Sequence, residues 1–362
     1  MSSEEHKPLK IEEFFLSLIG ASLAVKDTEI PSYSSGIMKS ALNRALEQYL
    51  IVREKDPTVD PFSVLETAFI MNLELARINK LPVILICNHQ AAFNNEKTSP
   101  YSIVVVQPNF PSAGQYEEKM NQYGKLLVIR AEAIDDVWKS ALSILGKLKE
   151  IKFDFACFPE LFFLDKKEVC EAFSQLANEK DSFIIGGSFH DEKQESNTSV
   201  IFLPDGKLIK QNKIFRSEGE GIVERQTEIL HIIDFDSGKF CVLVCIDSER
   251  EAVREILKER LQHCKCPALI FNPSHTDHPK RSIGLLTNNL MTLVFAAIVF
   301  CNTYHKGGSA ILAPFAELKD KDFKILEISA SADTQIEKAE VDLAPIISHR
   351  QSKHKCLIST VE

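Results

Sequence analysis

Between Ser102 and Val341 the chain is a series of short apolar runs, and some of them are separated by turns too tight to hold a helix. Thr198–Leu203 and Lys207–Lys213 flank Pro204-Asp205-Gly206, whose Asp-Gly pair supplies a hairpin turn. Ile229–Phe235 and Phe240–Cys245 flank Asp236-Ser237-Gly238 in the same way. Other runs are separated by helical patterns. Asp135–Ile151 places Val137, Leu142, Leu145, Leu148 and Ile151 on one side and Lys139, Lys147, Lys149 and Glu150 on the other. Val169–Lys180 and Glu249–Cys264 also read as helices. Hairpins make antiparallel neighbours and helical crossovers make parallel ones, so an α/β chain carrying both implies mixed sheets rather than one all-parallel, doubly wound sheet.

The remaining expected strands are Ser102–Gln107, Phe153–Phe158, Ser182–Ile185 closed by Gly186-Gly187, Ala268–Asn272 and Ser309–Ala313. Ile325–Ile328 and Lys338–Val341 read as a last pair, and Asn288–Phe300 as a helix running into a strand. Upstream the texture differs. Ile11–Val25, Ser35–Glu54 and Pro61–Asn79 carry apolar residues at helical spacing, the third entered through the Asp60-Pro61 cap. Leu81–Cys87 reads as a strand or buried connection, and Asn88–Pro100 as a linker. The expected organisation is a helical N-terminal extension over 1–98 and an α/β domain over 99–362.

A formal charge of -9 argues against a chain built to grip phosphate backbones, so no nucleic-acid partner is expected. The nine cysteines form no spaced framework, and Met1–Lys10 lacks the apolar core of a secretory signal. The longest apolar run, Leu290–Cys301, is too short to span a bilayer. These features together read as a cytoplasmic protein with free thiols and no membrane association.

Three apolar runs end in reactive groups. Phe155-Ala156-Cys157-Phe158-Pro159 leads to Glu160, Leu208–Asn212 leads to Lys213, and Phe240–Val244 leads to Cys245. Each has an ordinary reading by itself: a surface glutamate, a snorkelling lysine, a small core thiol. Together they fit one chemistry. A thiolate attacks an electron-poor carbon, a carboxylate takes up and returns the proton, and an ammonium neutralises the oxyanion and lowers the thiol's pKa. Cys264-Lys265-Cys266 lacks the further ligands of a zinc site, so no metal is expected. Gly186-Gly187 and Gly307-Gly308 lack the Gly-Lys-Ser/Thr context of a phosphate loop.

From about Ser102 to Ser348 the chain resembles the carbon–nitrogen hydrolase (nitrilase) superfamily. The landmarks come in the family's order: Val104-Val105-Val106-Gln107-Pro108-Asn109, Cys157-Phe158-Pro159-Glu160-Leu161, Gly186-Gly187-Ser188, then Asn197-Thr198 leading into Pro204-Asp205-Gly206. Lys213, Val244-Cys245-Ile246-Asp247, Asn272-Pro273-Ser274, Cys301-Asn302 and Gly307-Gly308-Ser309 follow. The resemblance implies an α-β-β-α sandwich of two mixed sheets flanked by helices, assembled as a homodimer or higher homo-oligomer. It implies catalytic Glu160, Lys213 and Cys245, and a second glutamate for which Glu218, Glu220 and Glu224 compete, with Glu220 favoured by spacing. The backbone N–H of Ile246 would join Lys213 in the oxyanion hole. His275, after Asn272-Pro273-Ser274, falls where the family lines its pocket.

The chain departs from the pattern at Ser248-Glu249-Arg250-Glu251, at Phe215-Arg216, and at Leu290–Val294, where the family's Arg-Ala-x-Glu-Asn is absent. The expected function is hydrolysis of a small amide or carbamoyl compound, less readily a nitrile, through a thioester and without a metal or organic cofactor. The alternatives are an acyltransferase using the same residues, or a catalytically quiet interaction module. In either case residues 1–98 are a candidate surface for a protein partner.

Overall fold

The computed structural model describes residues 83–95, 97–223, 227–235, 238–262, 267–303, 307–314 and 324–354. The three helices expected between Ile11 and Asn79, and the Cys264-Lys265-Cys266 segment, lie outside the described residues.

In chain order the structure begins with β1 (Val83–Gln90), β2 (Tyr101–Gln107), and a hairpin of β3 (Tyr116–Met120) and β4 (Lys125–Ile129). Helix α1 (Ile134–Lys149), β5 (Phe155–Cys157), α2 (Lys167–Lys180) and β6 (Phe183–Asp191) follow. Next come β7 (Ser196–Phe202), β8 (Leu208–Asn212), β9 (Thr227–Phe235), β10 (Gly238–Val242) and α3 (Glu251–Gln262). The chain then runs through β11 (Leu269–Pro273), α4 (Pro279–Leu286), β12 (Ala297–Cys301), β13 (Ser309–Leu312), β14 (Lys324–Ile328), β15 (Gln335–Val341) and α5 (Ala344–His354).

The large strands form two mixed sheets. One has seven strands in the order β1-β9-β10-β11-β12-β13-β14, and the other six in the order β15-β2-β5-β6-β7-β8. Phe155, Phe183, Phe235, Phe240 and Phe271 fill the layer between the sheets, with Ile103, Val105, Val242 and Val299. Phe155 stacks on Phe183 at 5.2 Å and meets the edges of Phe235 and Phe240 at 5.4 and 5.6 Å. Each fully buried ring contributes about 1.5–3 kcal/mol through burial alone.

On the outer face of the six-stranded sheet, Val137, Leu145 and Leu148 of α1 and Val169, Phe173 and Leu176 of α2 cover Val104, Ala156, Ile184 and Phe202. On the other outer face, Val253 and Leu257 of α3 and Ile283 and Leu286 of α4 cover Leu230, Ile232, Ile270 and Ile298. This is the α-β-β-α sandwich expected for the 99–362 region.

Several elements differ from their sequence reading. β1 pairs in parallel with β9 over its whole length, so the segment before residue 99 contributes an edge strand to the seven-stranded sheet. Its polar end, Asn88-His89-Gln90, is tolerated because an edge strand faces solvent on one side. Gly186-Gly187 does not close a strand; β6 runs through it with a register shift between Ile185 and Ser188, a bulge that Gly187 enters at φ 81°. β14 and β15 are not a pair: they lie on edges of opposite sheets. The C-terminal helix α5, which had no sequence signal, docks through Arg350, whose Nη2 donates to the carbonyls of Pro267, Val294 and Phe295 at 2.8, 2.9 and 2.7 Å.

Candidate active site

Glu160 follows β5, the short, fully buried strand hydrogen-bonded between β2 and β6. The chain turns sharply just beyond it, with Leu161 at φ 62°. Ser188 anchors the turn: its Oγ accepts the Leu161 N–H at 3.2 Å and its carbonyl accepts the Phe163 N–H at 3.0 Å. Gly187 makes the close approach possible, because a Cβ there would lie 2.2 Å from the Pro159 carbonyl oxygen. Glu160 is 3% exposed.

Lys213 follows β8 and is equally buried. Its backbone N–H donates to the Asn197 carbonyl at 2.7 Å. Its ammonium donates to Glu160 Oε1 at 3.0 Å, to Glu220 Oε2 at 2.7 Å and to Ser217 Oγ at 3.0 Å. Asn197 Nδ2 bridges the two carboxylates, 2.8 Å from Glu160 Oε1 and 3.0 Å from Glu220 Oε1. His190 Nδ1 accepts the Leu127 N–H at 2.7 Å, so Nε2 carries the hydrogen that reaches Glu220 Oε1 at 3.0 Å. Burial works against charge on Glu220, but His190, Lys213 and Asn197 outweigh it and hold the carboxyl well below the usual carboxylate range. Burial also opposes the Lys213 ammonium, and the carboxylates of Glu160 and Glu220 more than compensate, raising its pKa. Lys213 is therefore held as a cation.

Cys245 arrives from the opposite sheet. β10 ends at Val242, and Leu243 extends the run by donating its N–H to the Phe271 carbonyl at 2.9 Å. Cys245 opens a 3-10 turn, Cys245–Glu249, with φ 49°. A left-handed conformation at a residue with a Cβ costs about 1–2 kcal/mol and persists only where its surroundings enforce it. Here Asn272 Nδ2 and Ser248 Oγ donate to the Cys245 carbonyl at 3.0 and 2.8 Å. The turn is fastened to the lysine segment by Asp247, whose carboxylate accepts the N–H groups of Ile214 and Phe215. Burial raises Asp247 to about 7 despite those bonds.

The thiol of Cys245 lies close enough to Glu160, Lys213 and the His275 backbone for all three to act on it electrostatically. Burial, and then the charge of Glu160, push its pKa up, and Lys213 only partly offsets them. The lysine lowers the thiol's pKa, as expected, but it does not set the net shift. The ammonium acts in that direction, but desolvation and the adjacent carboxylate prevail. The resting group is a thiol with a proton acceptor beside it.

The structure brings Glu160, Lys213, Glu220 and Cys245 together, with Ile246 half-buried immediately after the thiol. Of the three competing glutamates, Glu220 contacts Lys213, Glu218 is exposed, and Glu224 lies outside the described residues. His275 adjoins the thiol through its backbone. Tyr116, Asn197, His190, Ser217 and Asp247 were not assigned roles from the sequence, although Asn197 and Asp247 stood among its landmarks. Tyr116 donates to the Leu161 carbonyl at 2.6 Å, and burial beside Glu160 raises its phenol pKa. A cleft of about 450 Å³ adjoins this side of the site, lined by Tyr116, Leu127, Leu161, Phe163, Phe189 and His190 among others.

No family model matches the chain, and no curated protein does. Solved structures do. Nit3 of Saccharomyces cerevisiae, a member of branch 10 of the nitrilase superfamily, is 20% identical and superposes with a TM-score of 0.51 over 74% of this chain and 98% of its own. XC1258 of Xanthomonas campestris, a CN-hydrolase superfamily protein with an arsenic adduct in its active site, is 15% identical, with a TM-score of 0.53 over 72% and 97%. A mutant of the Nesterenkonia sp. AN1 amidase is 12% identical, with a TM-score of 0.50 over 71% and 96%; it carries the acetamide moiety of fluoroacetamide on its active-site cysteine. The chain has the nitrilase-superfamily fold. Among the described residues, no helix is long and apolar enough to cross a membrane.

Proposed function

We propose that this protein is a cysteine-dependent hydrolase of a non-peptide carbon–nitrogen bond, acting on a small amide or carbamoyl compound. The observation that carries the proposal is the thiol of Cys245, held at the end of a rigid strand in a left-handed conformation against Glu160 and the Lys213 cation. The fold, and the covalent cysteine adduct described for the Nesterenkonia amidase, support the same reading.

In this mechanism Glu160 accepts the thiol proton as Sγ bonds to the carbonyl carbon, and the carbonyl π electrons move to oxygen. Lys213 and the Ile246 N–H stabilise that oxyanion. On collapse the C–N bond breaks, Glu160 returns the proton to nitrogen, and ammonia or an amine leaves behind a thioester. Glu160 then deprotonates a water as its oxygen bonds to the thioester carbon; on collapse the C–S bond breaks, Glu160 returns that proton to the departing sulfur, and the acid and the free thiol are formed. Glu220 is a positioning residue that fixes the ammonium. With its free thiols, the protein suits a reducing, cytoplasmic compartment.

The test is ammonia release across a panel of small amides and carbamoyl compounds, with Cys245→Ala as control. Turnover that survives in Cys245→Ala removes the mechanism. Thioester formation with transfer to an added amine, rather than to water, identifies the acyltransferase instead. Silence across the panel, with no covalent adduct from fluoroacetamide, favours the quiet interaction module.

A further inference from the structure

A second group of reactive side chains lies on the β1–β9 pair, on residues that take no part in the network around Lys213. In the parallel register Cys87 faces His231, and His89, two residues along β1, projects from the same face. That face looks towards the other sheet, since Ala91, Ile233 and Phe235 further along the pair pack into the layer between the sheets. The ligand atoms of Cys87, His89 and His231 lie within 4.8 Å of one another. His89 Nε2 and His231 Nδ1 are 2.8 Å apart, with ring centroids at 4.9 Å. All three residues are half-buried on the edge strand and its neighbour, so an ion can enter from solvent.

The two rings meet each other directly. The contact between His89 Nε2 and His231 Nδ1 requires one of these nitrogens to present its lone pair to the other. The strand beneath is fixed as well, because the His231 N–H donates to Gln211 Oε1 at 2.9 Å and Gln211 Nε2 donates to the Ile229 carbonyl at 2.8 Å.

We propose that Cys87, His89 and His231 form a three-ligand site for a divalent transition-metal ion of borderline softness, such as zinc, which fastens the edge strand β1 to β9. One thiolate and two imidazoles suit that class, with water in the fourth position. Bonds of about 2.3 Å to sulfur and 2.0–2.1 Å to nitrogen require the two imidazole nitrogens to spread slightly from hydrogen-bonding distance. Two side-chain rotations supply that movement. On binding, the Cys87 thiol proton passes to solvent and the one hydrogen between His89 Nε2 and His231 Nδ1 is exchanged for one on the other nitrogen of the same ring, so one proton is released per ion. The site was not expected from the sequence, where Cys87 and His231 are far apart, and it is independent of the proposed hydrolase activity.

The test uses the full chain stripped with EDTA and then loaded with zinc, or with cobalt for an optical readout. Wild type should retain one equivalent of zinc through gel filtration, show a thiolate-to-cobalt charge-transfer band, and melt at a higher temperature with zinc than without. Cys87→Ser should lose the band, and Cys87→Ser, His89→Ala and His231→Ala should each bind zinc at least tenfold more weakly. Metal-free melting temperatures like the wild type's would establish that the variants fold, and any one folded variant is sufficient for the comparison. Cys245→Ala and the double variant Cys264→Ser/Cys266→Ser should bind as wild type does. The proposal is overturned if stripped wild type takes up no metal, if the three ligand variants bind normally, or if binding follows Cys245 or Cys264 and Cys266.

Discussion

Both carboxylate oxygens of Asp247 accept the backbone N–H of Ile214, at 3.1 and 3.0 Å, two residues after the thiol on one side and one residue after the ammonium on the other. Phe215 adds its own N–H at 2.8 Å. A single buried side chain thereby sets the distance between Cys245 and Lys213, which belong to different sheets.

Asp247→Asn should show this. The amide presents its NH2 to backbone donors, leaving a buried N–H unsatisfied at a cost of about 1–3 kcal/mol. The expected result in urea unfolding is a loss of that size, together with at least a tenfold fall in Cys245-dependent turnover. The loss should also depend on pH. The folded carboxyl titrates at about 7, against an ordinary 3.8. Its stabilising contribution is fully present below that ordinary value and is lost as pH rises through about 7. Wild type should therefore approach the variant in stability as pH is raised through that window. A constant difference would show that Asp247 does not titrate there.

Glu220 has the opposite sign. Its folded pKa lies below the usual carboxylate range, so its contribution is present above that range and lost as pH falls through it. Thermal melts between about pH 6 and pH 3 should fall more steeply for wild type than for Glu220→Gln. Parallel curves would mean that His190, Lys213 and Asn197 do not stabilise the ionised form.

Cys245 should alkylate slowly for a candidate nucleophile, because burial and Glu160 keep the thiol protonated. Glu160→Gln removes the negative charge and leaves Lys213 in place. The iodoacetamide rate at Cys245, followed by peptide mass spectrometry, should rise while turnover falls to background. Cys87 and Cys170, half-buried as Cys245 is, serve as internal references. A slower rate at Cys245 in the variant would contradict the electrostatic account.

Gly187→Ala tests the turn that carries Glu160. The new Cβ meets the Pro159 carbonyl oxygen at 2.2 Å in a backbone already at φ 81°. A loss of about 1–3 kcal/mol is expected, with turnover reduced further than stability alone explains. Gly114→Ala, where no atom lies within 4 Å of the added carbon, should be silent on both measures.

Much of this site could be read locally because Glu160, Lys213 and Cys245 each end an apolar run, a pattern confined to a few neighbouring residues. The residues around them were less legible. The hairpin of β3 and β4 has a polar first strand, Tyr116-Glu117-Glu118-Lys119-Met120, mostly exposed and without alternation, so periodicity is silent there. Yet that hairpin braces both carboxylates. Tyr116 holds the Leu161 carbonyl, Leu127 sets the His190 tautomer, and the Lys125 N–H and carbonyl hold Gly219 and Gly221 on either side of Glu220. None of those partners is near in sequence, and a contact between distant residues leaves no periodic trace. The bulge at Gly187 was hidden for a related reason: a glycine pair reads as a strand end unless the carbonyl that needs the space is known.

The aromatic layer between the sheets has a consequence beyond stability. The carboxylate and ammonium stand on one sheet and the thiol on the other, so the rings of Phe155, Phe183, Phe240 and Phe271 act as the spacer that sets the gap across which the proposed proton transfer takes place. Sliding one sheet by a single residue step, about 3.3 Å, would move the thiol out of reach of its base without unfolding anything. The layer therefore behaves as a gauge block, and shaving it, as in Phe155→Leu, should blunt turnover in protein that still melts cooperatively.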